Sequence, residues 1–131
     1  MRCPDRYGFA GVLSGYFKPF DNQLADPRRL VSPFNGNIIL EEQNTPLDEV
    51  QELPVTAVIP RFWLAAGGAD GQAVADAEVF RQGLRLWQRD VPLTLTPGCG
   101  HTFTAWRAEI PLMLTWMTRG LASGTTTPAV A

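Results

Sequence analysis

The second half of the chain alternates strand-like with helix-like segments, and this order constrains the fold more than any other feature of the sequence. The apolar run Arg61-Phe-Trp-Leu-Ala-Ala-Gly67 has the length of a strand buried on both faces of a parallel sheet. Apolar side chains then recur every three or four positions, at Ala73, Ala77, Phe80, Leu84 and Trp87, which predicts a helix over residues 73–88. Residues 91–96 alternate like a second strand, so the order predicts a parallel α/β unit.

Two further elements extend this unit. The short apolar run Phe9-Ala-Gly-Val-Leu-Ser-Gly15 is typical of a buried strand. A last amphipathic helix is expected to bury one apolar face, made of Trp106, Ile110, Met113, Leu114 and Met117. Pro111 lies inside this segment and indicates either the first full turn of the helix or a kink.

The remaining segments show no sustained periodicity. Residues 18–60 are predicted to be irregular, with one short helix near residues 26–31 or near residues 47–52. The small, polar residues at the end predict a disordered tail over residues 121–131. We therefore expect one α/β domain over residues 1–120, with three parallel strands and two packed helices.

Composition and termini exclude several classes of protein. A formal net charge of −2 lacks the basic excess that nucleic-acid binding requires. The longest dense apolar run, residues 110–117, is too short to span a bilayer, and the first residues lack the apolar region of a signal peptide. His101 is the only histidine, and neither Cys3 nor Cys99 belongs to a cysteine cluster, so no metal site and no cofactor are predicted.

Two glycine-rich turns each follow a predicted strand and each carry one ionisable side chain. Asp70 lies in Gly67-Gly-Ala-Asp-Gly71, and His101 ends Pro97-Gly-Cys-Gly-His101. Reactive groups of open parallel sheets lie beyond the carboxyl ends of the strands, where we expect both side chains to meet. An aspartate beside a histidine can set the imidazole tautomer and stabilise the imidazolium. The order of acid before histidine is the second half of the hydrolase order Ser…Asp…His.

Each of these residues also has a purely structural interpretation. His101 can be a surface or capping residue, and Asp70 an ordinary turn residue before glycine. Asp76, one helical turn further along, is a competing carboxylate. Cys99 next to the histidine suggests a Cys–His nucleophile pair, but neighbouring turn residues usually point their side chains apart.

Several motifs resemble one family of α/β-hydrolases. They are Cys3-Pro-Asp-Arg-Tyr-Gly-Phe-Ala-Gly-Val-Leu-Ser-Gly-Tyr16, Asn44-Thr-Pro46, Gly67-Gly-Ala-Asp-Gly71 and Gly98-Cys-Gly-His-Thr-Phe-Thr-Ala-Trp106 with its following helix. Together they resemble the C-terminal portion of the esterase family that includes esterase D and the mycolyltransferases. The nearest resemblance is to actinobacterial esterases that carry this domain after membrane helices, which implies a membrane-anchored or extracytoplasmic parent protein. The resemblance implies that Asp70 and His101 are the catalytic acid and base of a serine esterase acting on a small-molecule or lipid ester.

The chain departs from this family at the nucleophile. Its three serines are Ser14, Ser32 and Ser123, and none lies in the G-x-S-x-G motif that holds a hydrolase serine. We therefore expect a C-terminal half that is inactive alone. Phe103 and Trp106 are the predicted pocket residues beside the histidine, and Ser14 and Tyr16 are predicted to line the floor of the cleft.

Two other functions stay open at this level. An acyltransferase of the mycolyltransferase type would use the same triad and differ only in the acceptor. A non-catalytic remnant, or a binding or assembly module, would keep only the fold. In any of these the first strand loses a neighbour, and its unpaired edge predicts self-association or pairing with a missing N-terminal half.

Overall fold

The computed structural model describes residues 6–17, 37–88 and 90–123 of the chain. In chain order the elements are β1 (Phe9–Leu13), α1 (Ile38–Gln43), α2 (Pro46–Glu52), β2 (Arg61–Gly67), α3 (Gly71–Gly83), a 3₁₀ turn (Leu84–Leu86), β3 (Leu93–Thr96) and α4 (Phe103–Ala122). The strands form one parallel sheet in the order β1-β2-β3. The predicted α/β class with three parallel strands is confirmed, but two helices were too few, because the described residues contain four.

The central strand β2 is apolar because both of its faces are covered. Phe62 and Leu64 point to one side, where they join Phe80 of α3 and Val50 of α2 in the main hydrophobic core. Trp63 and Ala65 point to the other face and are also buried, with Trp63 only 3% exposed. Burial on both faces accounts for the continuous apolar run in the sequence.

Helix α4 covers the second face of the sheet. Its Trp116 packs edge-on against Phe9 of β1, with ring centroids 5.4 Å apart. A Cβ atom on Gly11 would collide with the sulfur of Met113, so the absence of a side chain at Gly11 is what admits the methionine. With α2 and α3 on the opposite face, the described residues form three layers, helix, sheet and helix.

The predicted buried face of α4 was wrong in its details. Ile110 and Leu114 are 36% and 51% exposed, whereas Ala105, Glu109 and Gly120 are buried. Small residues allow the helix to approach the sheet closely: a Cβ atom on Gly120 would lie 2.6 Å from the ring of Phe9. A search for large apolar residues therefore selects a neighbouring stripe of the helix.

Pro111 lies in the interior of α4, which excludes the first-turn alternative of the two predicted for it. Helix α4 continues to Ala122, which shortens the expected tail, and residues 124–131 lie outside the described residues. No helix in the described part of the chain has both the length and the hydropathy needed to cross a bilayer.

The α3 region confirms the predicted stripe but ends earlier than residue 88. Ala73, Ala77, Phe80 and Leu84 are buried, and the α-helix ends at Gly83 before the 3₁₀ turn. Beyond it, the side-chain amide of Gln88 accepts a hydrogen bond from the N–H of Phe62 at 2.8 Å and donates to its carbonyl at 3.0 Å. At the start of β2, the side chain of Gln88 therefore takes the place of a partner strand, because β3 begins only at Leu93.

The irregular middle segment contains more helix than expected. Of the two alternatives for a short helix, residues 47–52 fall within α2, which buries Leu47 and Val50 in the core. The other alternative, residues 26–31, lies outside the described residues. Helix α1 was not predicted, because its six residues are too few to show a helical period.

Strand β1 has a strand partner on one side only among the described residues. The N–H of Arg61 donates to the carbonyl of Gly8 at 2.9 Å, and the N–H of Ser14 donates to the carbonyl of Ala65 at 2.7 Å. Even-numbered residues of β1 therefore direct their backbone groups toward β2. The backbone groups of Phe9, Gly11 and Leu13 point away from it.

Candidate active site at the carboxyl ends of the strands

Asp70 lies in the acid turn, residues 67–71, which connects β2 to α3. It is the N-cap of α3, and its Oδ1 accepts a hydrogen bond from the N–H of Ala73 at 3.3 Å. Its other oxygen, Oδ2, lies 2.8 Å from Nδ1 of His101. Only 9% of the Asp70 side chain is exposed, and the helix cap and the histidine together hold the carboxylate in one orientation.

His101 lies in the histidine turn, residues 97–102, which connects β3 to α4. Gly98 has a φ of +69°, a left-handed conformation that glycine adopts without strain and that lets the chain reverse directly after the strand. The next residue, Thr102, caps α4 through a hydrogen bond from the N–H of Ala105 at 3.4 Å. The imidazole stays accessible, with 40% of the side chain exposed.

Backbone hydrogen bonds join the two turns directly. The N–H of Gly68 donates to the carbonyl of Thr96 at 2.8 Å, and the N–H of Ala69 donates to the carbonyl of Cys99 at 2.7 Å. A Cβ atom on Gly67 would collide with the carbonyl oxygens of Cys99 and Gly100. The lack of a side chain at Gly67 therefore brings the turns close enough for their functional groups to meet.

The contact between Asp70 and His101 determines which imidazole nitrogen is basic. A carboxylate only accepts hydrogen bonds, so a neutral imidazole bonded to it must carry its proton on Nδ1. Nε2 then has a free lone pair, and no described residue bonds to it. An accessible imidazole held by a mostly buried carboxylate is an arrangement that suits a general base.

Two aromatic side chains contact the imidazole, and a third contacts one of them. Tyr16 stacks on it with ring centroids 5.4 Å apart and 14° between the planes, and Trp106 meets it edge-on at 5.4 Å. Phe103 contacts Trp106 at 6.2 Å between centroids and is 67% exposed. Of the predicted residues, Tyr16 and Trp106 therefore lie against His101, whereas Phe103 contacts only Trp106.

Tyr16 also has a polar contact with the same nitrogen that Asp70 uses. Its hydroxyl oxygen lies 3.4 Å from Nδ1 of His101, against 2.8 Å for Oδ2 of Asp70. Nδ1 offers a single in-plane proton or lone pair, so it serves one partner well. The shorter contact to the carboxylate is the bond that sets the tautomer.

Ser14 follows β1 at the same end of the sheet. Its φ of +49° is unusual for a residue with a side chain, and the residue is only 4% exposed. Its hydroxyl is buried and has no hydrogen-bond partner among the described residues. The structure thus locates Ser14 near the predicted cleft without a hydrogen bond to the histidine.

The two competing residues, Asp76 and Cys99, make other contacts. Asp76 accepts a hydrogen bond from the side chain of Gln72 on its own helix at 2.6 Å, and it is Asp70 that contacts the histidine. Cys99 is a free, half-buried cysteine that contributes its backbone carbonyl to the link between the turns. The described residues include no group of three side chains suited to hold a metal ion.

One polar residue beneath the site escaped the sequence analysis. Glu109 of α4 is fully buried, and its Oε1 accepts a hydrogen bond from the hydroxyl of Thr96 at 2.8 Å. Ala105 and Gly120 are small residues on one face of α4, and position 109 lies on the same face. This pattern was the sequence signal for a buried residue at position 109. A hydrophobic stripe cannot reveal a buried carboxyl group that interrupts it.

Comparisons of the chain with protein-family models, with curated proteins and with solved structures find no match. The resemblance to esterases therefore stays a prediction based on the motifs.

Proposed function

We propose that this chain supplies the acid and the histidine of a Ser-His-Asp triad that hydrolyses a carboxylic ester. The observation that carries the proposal is the 2.8 Å contact between Nδ1 of His101 and Oδ2 of Asp70 at the carboxyl ends of β2 and β3. The acid is mostly buried and the imidazole is accessible, as a base that must reach a substrate requires.

In the proposed reaction His101 moves a proton in both directions. Its Nε2 takes the proton from a serine hydroxyl as that oxygen attacks the ester carbonyl, and then gives it to the departing alcohol. In the second half, Nε2 takes a proton from water as the water oxygen attacks the acyl carbonyl, and returns it to the serine oxygen as the bond from serine to the acyl group breaks and the acid leaves. Asp70 stabilises the imidazolium that exists between these steps. The protein residues are regenerated, and no cofactor takes part.

The nucleophile is proposed to come from a segment other than residues 1–131. No serine of the chain lies in G-x-S-x-G, and Ser14 is buried without a bond to His101. The oxyanion hole uses the N–H after the nucleophile, so it would come from the same segment. The outer edge of β1 is the proposed site for that N-terminal half, and the substrate is a small-molecule or lipid ester near the aromatic side chains.

Complementation of the chain tests this proposal. We expect the chain alone to show no p-nitrophenyl ester turnover, and a polypeptide carrying the strand, G-x-S-x-G and helix of an esterase to restore turnover when added in trans. His101→Ala should abolish the restored activity and Asp70→Ala should reduce it about 10⁴-fold, as loss of a triad acid does. Asp76→Asn is the matched control and should keep it.

Three other outcomes would change the proposal. Turnover by the chain alone that disappears in His101→Ala would contradict the need for an outside serine. An added alcohol that captures the acyl group in preference to water would identify an acyltransferase. A well-folded complex without turnover would favour a non-catalytic binding or assembly module.

A further inference from the structure

A partly buried polar contact joins the two ends of the histidine turn. The hydroxyl of Thr96, the last residue of β3, donates to Oε1 of Glu109 at 2.8 Å, across thirteen positions of the chain. The contact joins the strand before the turn to the helix after it. We propose that Glu109 is a positioning residue that acts through Thr96 to hold His101 against Asp70.

The burial of Glu109 has no explanation in packing alone. The residue is 0% exposed, on the face of α4 that also buries Ala105 and Gly120 against the sheet. Its second oxygen, Oε2, is buried and has no partner among the described residues. A buried carboxyl group with an unsatisfied oxygen destabilises a fold, and an apolar side chain of similar size would be more favourable there. The bond to Thr96 is the interaction that an apolar residue could not provide.

Thr96 is the residue on which both turns depend. Its backbone carbonyl accepts hydrogen bonds from the N–H of Gly68 at 2.8 Å and from the N–H of Cys99 at 3.4 Å. The first bond belongs to the turn of the acid and the second to the turn of the histidine. A side-chain bond that fixes Thr96 therefore acts on the relative position of both turns.

Glu109 also fixes the other end of the histidine turn. Helix α4 begins directly after His101 and its cap Thr102, so a shift of the helix along the sheet would move the imidazole. Trp106, about one helical turn before Glu109, contacts the imidazole edge-on at 5.4 Å. The bond from Glu109 to β3 opposes such a shift.

The inference deepens the proposed function and rests on it, but the test measures the Asp–His contact itself. His101 is the only histidine, so a chain labelled with ¹⁵N-histidine gives a single set of ring signals. In the wild-type chain we expect the Nδ1–H tautomer and slow exchange of that proton with water. Asp70→Ala should abolish both, which confirms the origin of the signal.

The decisive variant replaces both partners by apolar residues of similar shape. Thr96→Val with Glu109→Leu should leave the unfolding midpoint nearly unchanged, because no polar group remains unsatisfied. The Nδ1 proton should then exchange about tenfold faster, because local opening of the turn is easier without the bond. Glu109→Gln should keep slow exchange, since its amide oxygen still accepts from Thr96.

The inference would be overturned if the Nδ1 proton exchanged at the wild-type rate in the folded double variant. It would also be overturned if Glu109→Gln accelerated this exchange as much as the double variant does. If the double variant does not fold, the single variants Thr96→Ser and Thr96→Val test the inference instead. Serine keeps the hydroxyl and should keep slow exchange, whereas equal exchange rates in the two variants would overturn the inference. A wild-type chain without the Nδ1–H tautomer would instead reject the proposed triad itself, and these two failures are distinguishable.

Discussion

Asp70 uses its two carboxylate oxygens for two different tasks. Oδ1 caps the first turn of α3, and Oδ2 holds Nδ1 of His101 at 2.8 Å. The amino end of a helix favours a negative charge, so the cap and the imidazole both stabilise the same carboxylate. The structural interpretation of Asp70 as a turn residue and its catalytic interpretation therefore describe one side chain and do not exclude each other.

Substitutions at Asp70 should separate these tasks. Asp70→Ala loses the cap and should lower the free energy of unfolding by about 0.5–2 kcal/mol. Asp70→Ser keeps a capping oxygen and should stay near wild-type stability, but its shorter side chain should release His101. Urea denaturation measures the first effect, and the Nδ1 proton signal measures the second. Equal stability of the two variants would show that the cap contributes little.

At the scale of elements, the acid and histidine turns are held together by main-chain contacts at the ends of β2 and β3. Gly67 is the closest point of approach, because the carbonyl oxygens of Cys99 and Gly100 occupy the space of its absent side chain. The site thus depends on the separation of two turns as much as on its ionisable residues.

Gly67→Ala should push the turns apart. Overpacking against backbone atoms cannot be relieved by a change of rotamer, so we expect a loss of about 1–3 kcal/mol in unfolding free energy. The bond between Asp70 and His101 should weaken at the same time. Gly100→Ala is the control, because a Cβ atom there meets nothing within 4 Å and should change stability by less than about 0.5 kcal/mol. Chemical denaturation and the histidine NMR signal check both expectations, and an unaffected Gly67→Ala would contradict them.

The elements that could be predicted are those whose residues carry a strong local signal. The apolar run of β2 and the helical period of α3 predicted the positions of both elements to within a few residues. The glycine-rich turns predicted where Asp70 and His101 lie. The buried face of α4 could not be predicted, because its contact depends on Ala105 and Gly120, which look unremarkable to a search for large apolar side chains. Glu109 escaped for a related reason: its partner Thr96 is close only after the chain folds.

At the scale of the whole molecule, β1 leaves part of its backbone without a strand partner among the described residues. Its residues are only half-buried, unlike those of the central strand β2. An unpaired parallel edge is a template for another strand. The same edge is where the proposed N-terminal half would pair, so self-association and complementation are expected to compete.

We therefore expect the isolated chain to self-associate as its concentration rises in sedimentation experiments. Leu13→Pro removes an N–H that points away from β2, so it should weaken association about tenfold while leaving the β1–β2 pairing intact. Ala10→Pro, on the side that faces β2, is the contrasting variant and should disrupt the fold, as circular dichroism would show. A chain that stays monomeric at every concentration would contradict this expectation.

The link between the acid and histidine turns consists of main-chain N–H and carbonyl groups, and this has a consequence for how the protein can diverge. Every amino acid except proline carries both groups, so the side chains at Ala69 and Cys99 are open to replacement without altering the spacing of the reactive pair. Ala69 is the residue before Asp70, and Cys99 lies two residues before His101. Variants randomised at these two sites should therefore keep the contact between Asp70 and His101.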